Sequence, residues 1–390
     1  MRIKYFYNWG HFFPVTCGAD SVATNHLRYF RERNWEVDCI LALNDKASWA
    51  SAAFKQEYSW LSSLTQVKLP GHRWEFGEVL AAFDRFADRP AIRAALAAPA
   101  DVFFTNYVFT SPLVRHLPSN CRRLLESIDI MSDQFELSGA SMALPAGVRR
   151  GRRNFHYRLE LDLYRLFDGV AMISRDESET VRNAGARNAH YVPQWLPVRD
   201  TLVETPTTDF QLLFVGSRNA INLNGIHWFL QNVYDPHLSG HGIRLAIAGG
   251  VCEALNYSNP NVVQLGRISD SLERLYASTA IVVAPIFEGT GLSIKTVEAM
   301  AMGKVVVAAP SAARGLAASQ LVTLDMKANP QAVADTILRI LADPAERRAL
   351  ELRAFTYARR EFGKEAYFNA MDRLFESIGI AAGTRRTKAA

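Results

Sequence analysis

Short apolar runs alternate with helix-like segments along this chain, and the whole series occurs twice. The first series places strand-like runs at residues 2–8, 37–43, 101–108, 122–129 and 169–174. A helix-like segment at 21–34 separates the first two runs and completes a strand, turn, helix, strand unit. Parallel pairing is the default for such a unit, because the helix returns the chain to the same end of the sheet. The first half of the chain therefore predicts an open parallel sheet.

The alternation begins afresh after the segment 191–209, which is rich in Pro and Thr and poor in helix formers. Helices are expected from about Gly225 and from about Ser293. The strand-like runs of this second series lie at 210–217, 243–250, 262–266, 280–285 and 304–310. Two doubly wound sheets joined by a linker favour a cleft between two domains, and open sheets bind ligands beyond the carboxyl ends of their strands.

This pattern predicts the fold class and the domain bounds. The expected fold is α/β, with two Rossmann-like, doubly wound parallel-sheet domains that face each other across a cleft, and with C-terminal helices. Residues 1–198 form the N-terminal domain and residues 199–360 the C-terminal domain. Residues 361–390 form a terminal helix that crosses back to the first domain and ends in a frayed tail. A chain of 390 residues is long enough for two domains of roughly 150 to 200 residues.

The composition is typical of a folded enzyme of the cytoplasm. Hydrophobic residues make up 49% of the chain and charged residues 21%, which excludes a disordered protein. No uncharged apolar run approaches the roughly 18 residues that a membrane helix needs. Four widely spaced cysteines without zinc-ligand spacing favour free thiols in a reducing compartment.

A dense basic cluster contrasts with the modest net charge of +5. The cluster contains Arg149, Arg150, Arg152 and Arg153. Such a run is typical of a solvated loop. Its functional alternative is a contact with a phosphorylated acceptor or with anionic lipid headgroups, and the latter places the protein peripherally on the inner face of the membrane.

Acidic residues at 160–162 have the density of a metal site, but they lie within a helical pattern. We therefore expect Glu160 and Asp162 on a solvated helix face. The sequence predicts no metal ion, and it predicts no cofactor other than the co-substrate discussed below.

The segment 285–304 is the most informative part of the sequence, because a glycine-rich turn there joins a strand-like run to a helix. Gly289 and Gly291 allow the backbone to approach a ligand closely and to expose its N–H groups. Ser293 stands where a helix N-cap is expected, and Lys295 follows in the first turn. An anion at this helix N-terminus would offset the unfavourable interaction of Lys295 with the helix dipole. The segment therefore predicts an anion-binding turn.

Together with Glu288 and Glu298, this turn resembles the signature of the retaining glycosyltransferases of family 4, which have the GT-B fold. That family shows a Glu, a Gly-x-Gly turn and, about eight positions after the first Glu, a second Glu that opens Glu-Ala-Met-Ala. Here the two glutamates are ten positions apart, so two residues are inserted. A subgroup with Gly-Thr-Gly, then Lys, then Glu-Ala-Met-Ala occurs among polysaccharide-assembly enzymes. The resemblance extends from about Phe210 to Leu316 and weakens toward the N-terminus.

The resemblance implies a donor site for a nucleotide sugar. It implies that Glu298 accepts hydrogen bonds from the ribose hydroxyls and that Glu288 contacts hydroxyls of the sugar. The backbone amides that line the sugar belong to Gly289, Thr290, Gly291 and Leu292. Further loops that face the nucleotide contain Gly216, Ser217, Arg218, Gly249 and Arg267.

The chain departs from the family at the diphosphate. In the family, an Arg and a Lys that follow the first strand of the nucleotide-binding domain grip the diphosphate. Arg218 stands at or next to the Arg position, whereas Asn222 or Asn224 stands near the place of the Lys. On grounds of charge balance, we expect Lys295 to supply the missing positive charge. Arg218 and Lys295 are therefore the predicted catalytic cations.

The first domain carries a weaker resemblance. Gly18, beside Cys17, takes the place of a Gly-Gly loop whose backbone N–H reaches the β-phosphate of the donor. Ile128 replaces the family's histidine at a strand end, and Asp129 remains. Asp129 is a candidate to orient the acceptor hydroxyl, or to act as general base in an inverting reaction. The structural alternative is an Asp that caps a turn.

The predicted activity is transfer of a sugar from a UDP- or GDP-sugar to a hydroxyl of a glycan or lipid-linked glycan. The resemblance implies surface polysaccharide biosynthesis, such as that of lipopolysaccharide, capsule or exopolysaccharide, with retention of configuration and without a metal. Glu288, Asp129, Arg218 and Lys295 are the predicted catalytic residues. The expected partners are donor and acceptor, without nucleic acid. Three alternatives stay open: a nucleotide-sugar epimerase of the same fold, an inverting transferase with Asp129 as base, and a non-catalytic sugar-nucleotide-binding protein.

Overall fold

The computed structural model describes residues 1–8, 18–43, 52–69, 75–137, 141, 143–198, 201–202, 209–268 and 272–381. The chain divides into two compact units. Unit 1 contains Met1–Trp195 and Tyr367–Ala390, and unit 2 contains Leu196–Ala366. The loop before Gly18, residues 199–200 and 203–208 of the predicted linker, and the tail lie outside the described residues. Each unit is built on a parallel sheet, so the predicted α/β fold class is confirmed.

Unit 1 contains seven parallel strands among its described residues, in the order β3-β2-β1-β4-β5-β6-β7. The strands are β1 Arg2–Tyr7, β2 Glu36–Leu43, β3 Ser63–Lys68, β4 Val102–Asn106, β5 Arg122–Ser127, β6 Gly169–Met172 and β7 Ala189–Tyr191. The chain winds outward from β1 in both directions, because β1 pairs with β2 on one side and with β4 on the other. This is the topology of a doubly wound sheet.

Eight helices belong to the described part of unit 1. They are α1 Gly18–Glu32, α2 Ala52–Glu57, α3 Phe76–Ala87, α4 Pro90–Ala97, α5 Met131–Glu136, α6 Ala146–Tyr164, α7 Arg175–Asn183 and the last helix of the chain, which we call α13, Lys364–Ser377. A short 3-10 segment, Val108–His116, follows β4.

Successive side chains of β1 enter two different hydrophobic cores. Tyr5 belongs to the core that contains Phe30 of α1 and Phe375 of α13, whereas Phe6 packs against Phe83 of α3. Successive side chains of a strand lie on opposite faces of the sheet, so both faces of this sheet are covered. Double coverage explains why five consecutive residues of β1 are buried.

The helix α13 completes the core of unit 1 although it follows unit 2 in the chain. Its Phe375 lies against Trp35, with ring centroids 4.7 Å apart. Its Asp372 accepts a hydrogen bond from the hydroxyl of Tyr29 at 2.7 Å and pairs with Arg33. The C-terminal segment therefore stabilises the N-terminal sheet.

Unit 2 contains six parallel strands among its described residues, in the order β10-β9-β8-β11-β12-β13. The strands are β8 Phe210–Val215, β9 Leu245–Ala248, β10 Val262–Gly266, β11 Thr279–Ala284, β12 Val305–Ala308 and β13 Val322–Thr323. Its α-helices are α8 Ala220–Phe229, α9 Leu272–Ala277, α10 Ile294–Ala301, α11 Pro330–Ala342 and α12 Pro344–Phe362. A π-helical segment, Leu230–Leu238, continues α8.

Three strands and one helix start differ from the sequence prediction. The strands β3, β7 and β13 were not predicted; each lies at a sheet edge, and they are short or only partly buried, so they lack a continuous apolar run. The helix α8 begins at Ala220, not near Gly225. The side chain of Asn219 accepts a hydrogen bond from the backbone N–H of Asn222 at 2.8 Å, and this cap starts the helix early.

Candidate active site

The turn that follows β11 has a backbone that glycine adopts most readily. Gly289 has a φ of 139° and Gly291 a φ of 66°, where a side chain is strained. A Cβ on Gly289 would also lie 3.3 Å from a guanidinium nitrogen of Arg314. The two glycines therefore permit a conformation of this turn that larger residues disfavour.

The helix α10 begins directly after this turn, with Ser293 at the predicted N-cap position. The hydroxyl of Ser293 does not cap the helix; it accepts a hydrogen bond from the hydroxyl of Thr296 at 2.9 Å. The N–H groups of the first turn thus have no cap from this side chain. Such groups are the ones that bind anions at helix N-termini.

Three charged side chains border the same turn. Glu288 is exposed, and Lys295 and Glu298 are partly buried. Burial raises the pKa of Glu298, and the positive charge of Lys295 lowers that pKa in part. Across the described ranges, none of the three forms an ion pair with another side chain. The turn therefore combines a glycine backbone with charged side chains of both signs that form no ion pair among the described residues.

The loops after β8, β9 and β10 are held together by backbone contacts. The N–H of Gly216 donates to the carbonyl of Ala248 at 2.9 Å, and the N–H of Gly249 donates to the carbonyl of Gly266 at 2.7 Å. Gly249 has a φ of 98°, and a Cβ there would lie 2.2 Å from the carbonyl oxygen of Gly216. The predicted glycine at 249 is therefore required for the close approach of these loops.

Two predicted donor-site arginines, Arg218 and Arg267, share one carboxylate. Glu253 accepts from Arg218 through Oε2 at 3.3 Å and from Arg267 through Oε1 at 2.6 Å. The hydrogen bond from Arg267 is the main reason that the pKa of Glu253 is lowered, and Arg218 adds to the effect. Both arginines were predicted from the sequence, whereas Glu253 was not.

The start of α8 connects two parts of the site. The side-chain amide of Asn222 donates to the backbone oxygen and to the hydroxyl of Ser217, both at 3.0 Å. A Cβ on Gly225 would lie 2.2 Å from the carbonyl oxygen of Pro285, so α8 packs directly on the segment after β11. Asn222 therefore supports the loop of Ser217.

Gly18 and Asp129 lie in unit 1. Gly18 is the first residue of α1, and Cys17 lies outside the described residues. Asp129 is partly buried in the turn between β5 and α5, and the hydroxyl of Ser127 donates to its backbone oxygen at 2.9 Å. The other predicted site residues lie in unit 2.

Glu160 holds the turn of Asp129, and the expectation that it lies on a solvated helix face is wrong. Its side chain is fully buried, and it accepts from the backbone N–H groups of Met131 and Ser132 at 2.8 and 2.9 Å. The hydroxyl of Tyr164 also donates to Glu160 at 2.6 Å. A carboxylate from α6 thus caps the N-terminus of α5, and packing of α6 against α5 explains its burial. Asp162 is exposed, as predicted.

The four arginines at 149–153 lie in the helix α6, so the prediction of a loop is wrong. Pro145 occupies the N-cap position, and the residues after it continue as helix. Three of the arginines face acidic side chains: Arg149 and Glu136 are 3.5 Å apart, Arg152 and Glu75 3.5 Å, and Arg153 and Asp133 2.5 Å. Arg150 is exposed and forms no such pair among the residues described.

Neither a metal site nor a membrane-spanning helix is found among the described residues. No group of three or more His, Cys, Asp or Glu side chains could hold a metal ion there. None of the helices described is both long and apolar enough to cross a membrane. Cys39 and Cys121 are buried free thiols, and burial raises the pKa of both.

Residues 209–343 match the family model described as Glycosyl transferases group 1. This range lies within unit 2 and contains all six of its strands. Unit 2 carries a glycosyl transferases group 1 domain. The match confirms the prediction of a glycosyltransferase.

Solved structures share the fold of the whole chain at low identity. TarM is 9% identical, with a TM-score of 0.66 over 95% of this chain and 98% of that chain. Anabaena HepE in complex with UDP is 14% identical, with a TM-score of 0.62 over 97% and 100%. An alpha-glucosyltransferase in complex with UDP and a 13-mer DNA is 11% identical, with a TM-score of 0.60 over 97% and 99%. No curated protein sequence matches the chain. These likenesses confirm the GT-B fold.

Within the group 1 domain, the predicted donor residues follow four neighbouring parallel strands. Gly216, Ser217 and Arg218 follow β8, Gly249 follows β9, Arg267 follows β10, and the segment from Glu288 to Glu298 follows β11. The carboxyl ends of parallel strands lie at one edge of a sheet, where doubly wound folds bind ligands. The fold therefore brings residues that are up to 82 positions apart, from Gly216 to Glu298, to one edge.

Proposed function

We propose that this chain transfers a sugar from a UDP- or GDP-sugar to a hydroxyl of a glycan or lipid-linked glycan during assembly of a surface polysaccharide. The observation that carries this proposal is the carboxyl edge of the unit 2 sheet. There, a glycine turn, a partly buried carboxylate without an ion-pair partner, and a pair of arginines lie on loops after adjacent strands. The group 1 domain and the fold shared with UDP-bound proteins support it.

Glu298 would bind the nucleoside. An ionised carboxylate only accepts hydrogen bonds, and the two hydroxyls of a ribose supply two donors. Partial burial makes each of these hydrogen bonds stronger than it would be in water, because the local dielectric constant is lower. The positive charge of Lys295, in the preceding turn of α10, lowers the pKa of Glu298 in part and so favours its ionised form.

The diphosphate would lie between the arginines and the turn after β11. Arg218 and Arg267 offer guanidinium N–H groups on one side. Lys295, the amides from Gly289 to Leu292 and the N-terminus of α10 offer positive charge on the other. Negative charge builds on the diphosphate as the bond to the sugar breaks, and groups already in place for it lower the barrier. This arrangement would need no metal ion.

Glu288 would contact hydroxyls of the donor sugar, and Gly18 at the start of α1 would present a backbone N–H to the β-phosphate. In the retaining reaction, the departing phosphate oxygen takes the proton of the acceptor hydroxyl on the same face of the sugar. The second candidate is an inverting reaction in which Asp129 takes this proton as general base. Hydrogen bonds from Met131 and Ser132 to Glu160 hold the turn that carries Asp129, which would keep its carboxylate in place for this role.

The proposal also includes a membrane contact. Its residues are Arg150, Val148 and Phe155, in place of the four arginines that the sequence predicted. Arg149 and Arg153 face acids of α5 and are less available to lipid. Arg150 is unpaired among the residues described, and Val148 and Phe155 on the same helix are 52% and 66% exposed. Exposed apolar residues next to a cation are typical of a helix that lies on an anionic membrane surface.

The activity is tested by release of nucleoside diphosphate from UDP- and GDP-sugars, with and without glycan and lipid-linked acceptors. We expect release that depends on an acceptor, that continues in excess EDTA, and that yields a product with the donor's anomeric configuration by NMR. An inverted product would favour Asp129 as base. Formation of an epimer from donor alone, or strict dependence on a metal, would contradict the proposal.

A further inference from the structure

Arg218 and Arg267 meet on a single carboxylate that the proposed reaction does not use. Each oxygen of Glu253 accepts from one arginine, at 3.3 Å and 2.6 Å. The arginine side chains are 63% and 73% exposed, and Glu253 is 38% exposed, so all three are open to a ligand from solvent. Each guanidinium has five N–H donors and gives one of them to Glu253.

The backbone fixes the place of this carboxylate. Glu253 ends the 3-10 turn Gly250–Glu253, whose Val251 N–H donates to the carbonyl of Gly216 at 3.1 Å. A Cβ on Gly250 would lie 3.3 Å from atoms of both Arg218 and Arg267, so the turn passes directly beneath the two side chains. The meeting of the three charges is thus a property of the packed loops after β8, β9 and β10.

The arginines and the carboxylate of this cluster have opposite effects on a bound anion. Two guanidinium groups attract a diphosphate, whereas the ionised carboxylate between them repels it and occupies one N–H of each. The pKa of Glu253 is lowered, first by its hydrogen bond from Arg267, so the carboxylate is ionised at neutral pH. The cluster therefore carries a net single positive charge where two arginines alone would carry two.

We propose that Glu253 limits how tightly the donor site holds a nucleoside diphosphate, and so speeds release of that product. The inference rests on the proposed donor site. When the diphosphate binds, its oxygens displace the carboxylate from the guanidinium N–H groups. After the sugar has left, the carboxylate competes for the same N–H groups and favours dissociation. Glu253 is thus a residue that sets affinity through the two arginines.

The variant Glu253→Gln tests this, because it keeps the size of the side chain and removes its charge. We expect UDP to bind the variant at least about threefold more tightly than the wild type in low salt, because the variant lacks the negative charge that competes with the diphosphate for the two arginines. The gain should shrink in 0.5 M NaCl, because salt screens exposed charges. Uridine, which lacks phosphate, should bind both proteins equally. Isothermal titration calorimetry measures all three.

The matched control is Glu346→Gln, which removes the same charge from an exposed Arg–Glu pair between α11 and α12 of the same unit. We expect it to leave UDP affinity unchanged. If Glu253 only held the two arginines in place, Glu253→Gln would bind UDP more weakly than the wild type. Weaker or unchanged binding would overturn the inference.

Inorganic pyrophosphate separates this inference from the proposed function. If no nucleotide binds the wild type but pyrophosphate binds, and binds Glu253→Gln more tightly, the proposed donor fails and the role of Glu253 stands. If UDP binds and Glu253→Gln does not bind it more tightly, the role of Glu253 fails and the donor site stands. Absence of binding by both probes would overturn both.

Discussion

Burial raises the pKa of Glu298, so the folded protein holds this proton more tightly than the unfolded chain does. A carboxyl whose pKa is raised by folding stabilises the protein at low pH, and this contribution is lost as the pH rises through the folded pKa. At a pH above its folded pKa, the ionised Glu298 therefore costs stability. A ligand with two hydroxyl donors would compensate that cost.

The variant Glu298→Gln removes this cost, and we expect its unfolding midpoint at pH 7.5 to exceed that of the wild type by about 1–3 °C without nucleotide. The difference should shrink as the pH falls toward 4.5, since the wild-type carboxyl then protonates. Differential scanning fluorimetry across this pH range measures the effect. A variant less stable than the wild type at every pH would contradict the assignment of Glu298 as an uncompensated carboxylate.

Residues whose role depends on local geometry were predictable from the sequence, and residues whose role depends on a distant partner were not. Gly289 and Gly291 were predicted as a turn, and their positive φ angles agree with it. Glu253 meets Arg218 across 35 positions of sequence, and Glu160 meets Met131 across 29. Such pairs are set by the arrangement of loops and helices, and no local pattern marks them.

At the scale of elements, two helical glycines have opposite environments. A Cβ on Gly225 would collide with the carbonyl oxygen of Pro285 at 2.2 Å, whereas a Cβ on Gly151 in α6 would have no neighbour within 4 Å. We expect Gly225→Ala to destabilise unit 2 by about 1–3 kcal/mol, because the helix must move away from the segment after β11. Gly151→Ala should stabilise α6 by about 0.5–1 kcal/mol through helix propensity.

Urea titration followed by circular dichroism measures both changes. Nucleotide binding should also weaken in Gly225→Ala, since α8 carries the loop of Ser217 against that segment, and it should be unaffected in Gly151→Ala. Equal effects of the two substitutions on stability would show that the packing of α8 described above is wrong.

Glu160 and Asp162 form a second matched pair, both acidic and both on α6. Glu160→Gln leaves an amide where two backbone N–H groups of α5 need an acceptor, and we expect it to cost about 1–3 kcal/mol. Asp162→Asn loses only an exposed pair with Arg165, which contributes about 0.5 kcal/mol or less. The same urea titration distinguishes them. Equal stability of Glu160→Gln and Asp162→Asn would contradict the conclusion that Glu160 holds the turn of Asp129.

The buried core strands were predictable because coverage on both faces gives continuous apolar runs, as in β1 and β11. The helix α6 was not predictable from the sequence, because its first turns are rich in Arg and Gly, a composition that also fits a loop. Its packing against α5, through Glu160, is a tertiary effect. The start of α8 was misplaced for a related reason, because Asn219 acts as an N-cap through its side chain.

At the scale of the whole molecule, the chain carries a net charge of +5, and α6 adds exposed apolar side chains to its basic cluster. We expect the protein to float with vesicles that contain anionic lipid, and to remain unbound with neutral vesicles. The double variant Arg150→Glu and Phe155→Ser should lose most of this binding. Arg187→Glu, which changes an exposed arginine outside α6, should keep most of it. Equal flotation of the two variants would contradict a membrane contact through α6.

Each unit carries candidate residues on its own parallel-sheet scaffold. Unit 2 holds the predicted donor residues at the carboxyl edge of its sheet, and unit 1 holds Asp129 in the turn after β5 and Gly18 at the start of α1. The repeated strand and helix pattern predicted both sheets. The sugar and the acceptor depend on contacts that the sequence pattern does not specify.

The most direct test of the donor site is a thermal-shift comparison of the wild type and Glu298→Gln with UDP-, GDP-, ADP- and dTDP-sugars. We predict that a UDP- or GDP-sugar raises the unfolding midpoint of the wild type by several degrees, because a ligand that binds only the folded state stabilises it. The same compound should raise the midpoint of Glu298→Gln far less. Equal stabilisation of both proteins, or no stabilisation of the wild type by any sugar nucleotide, would contradict the account.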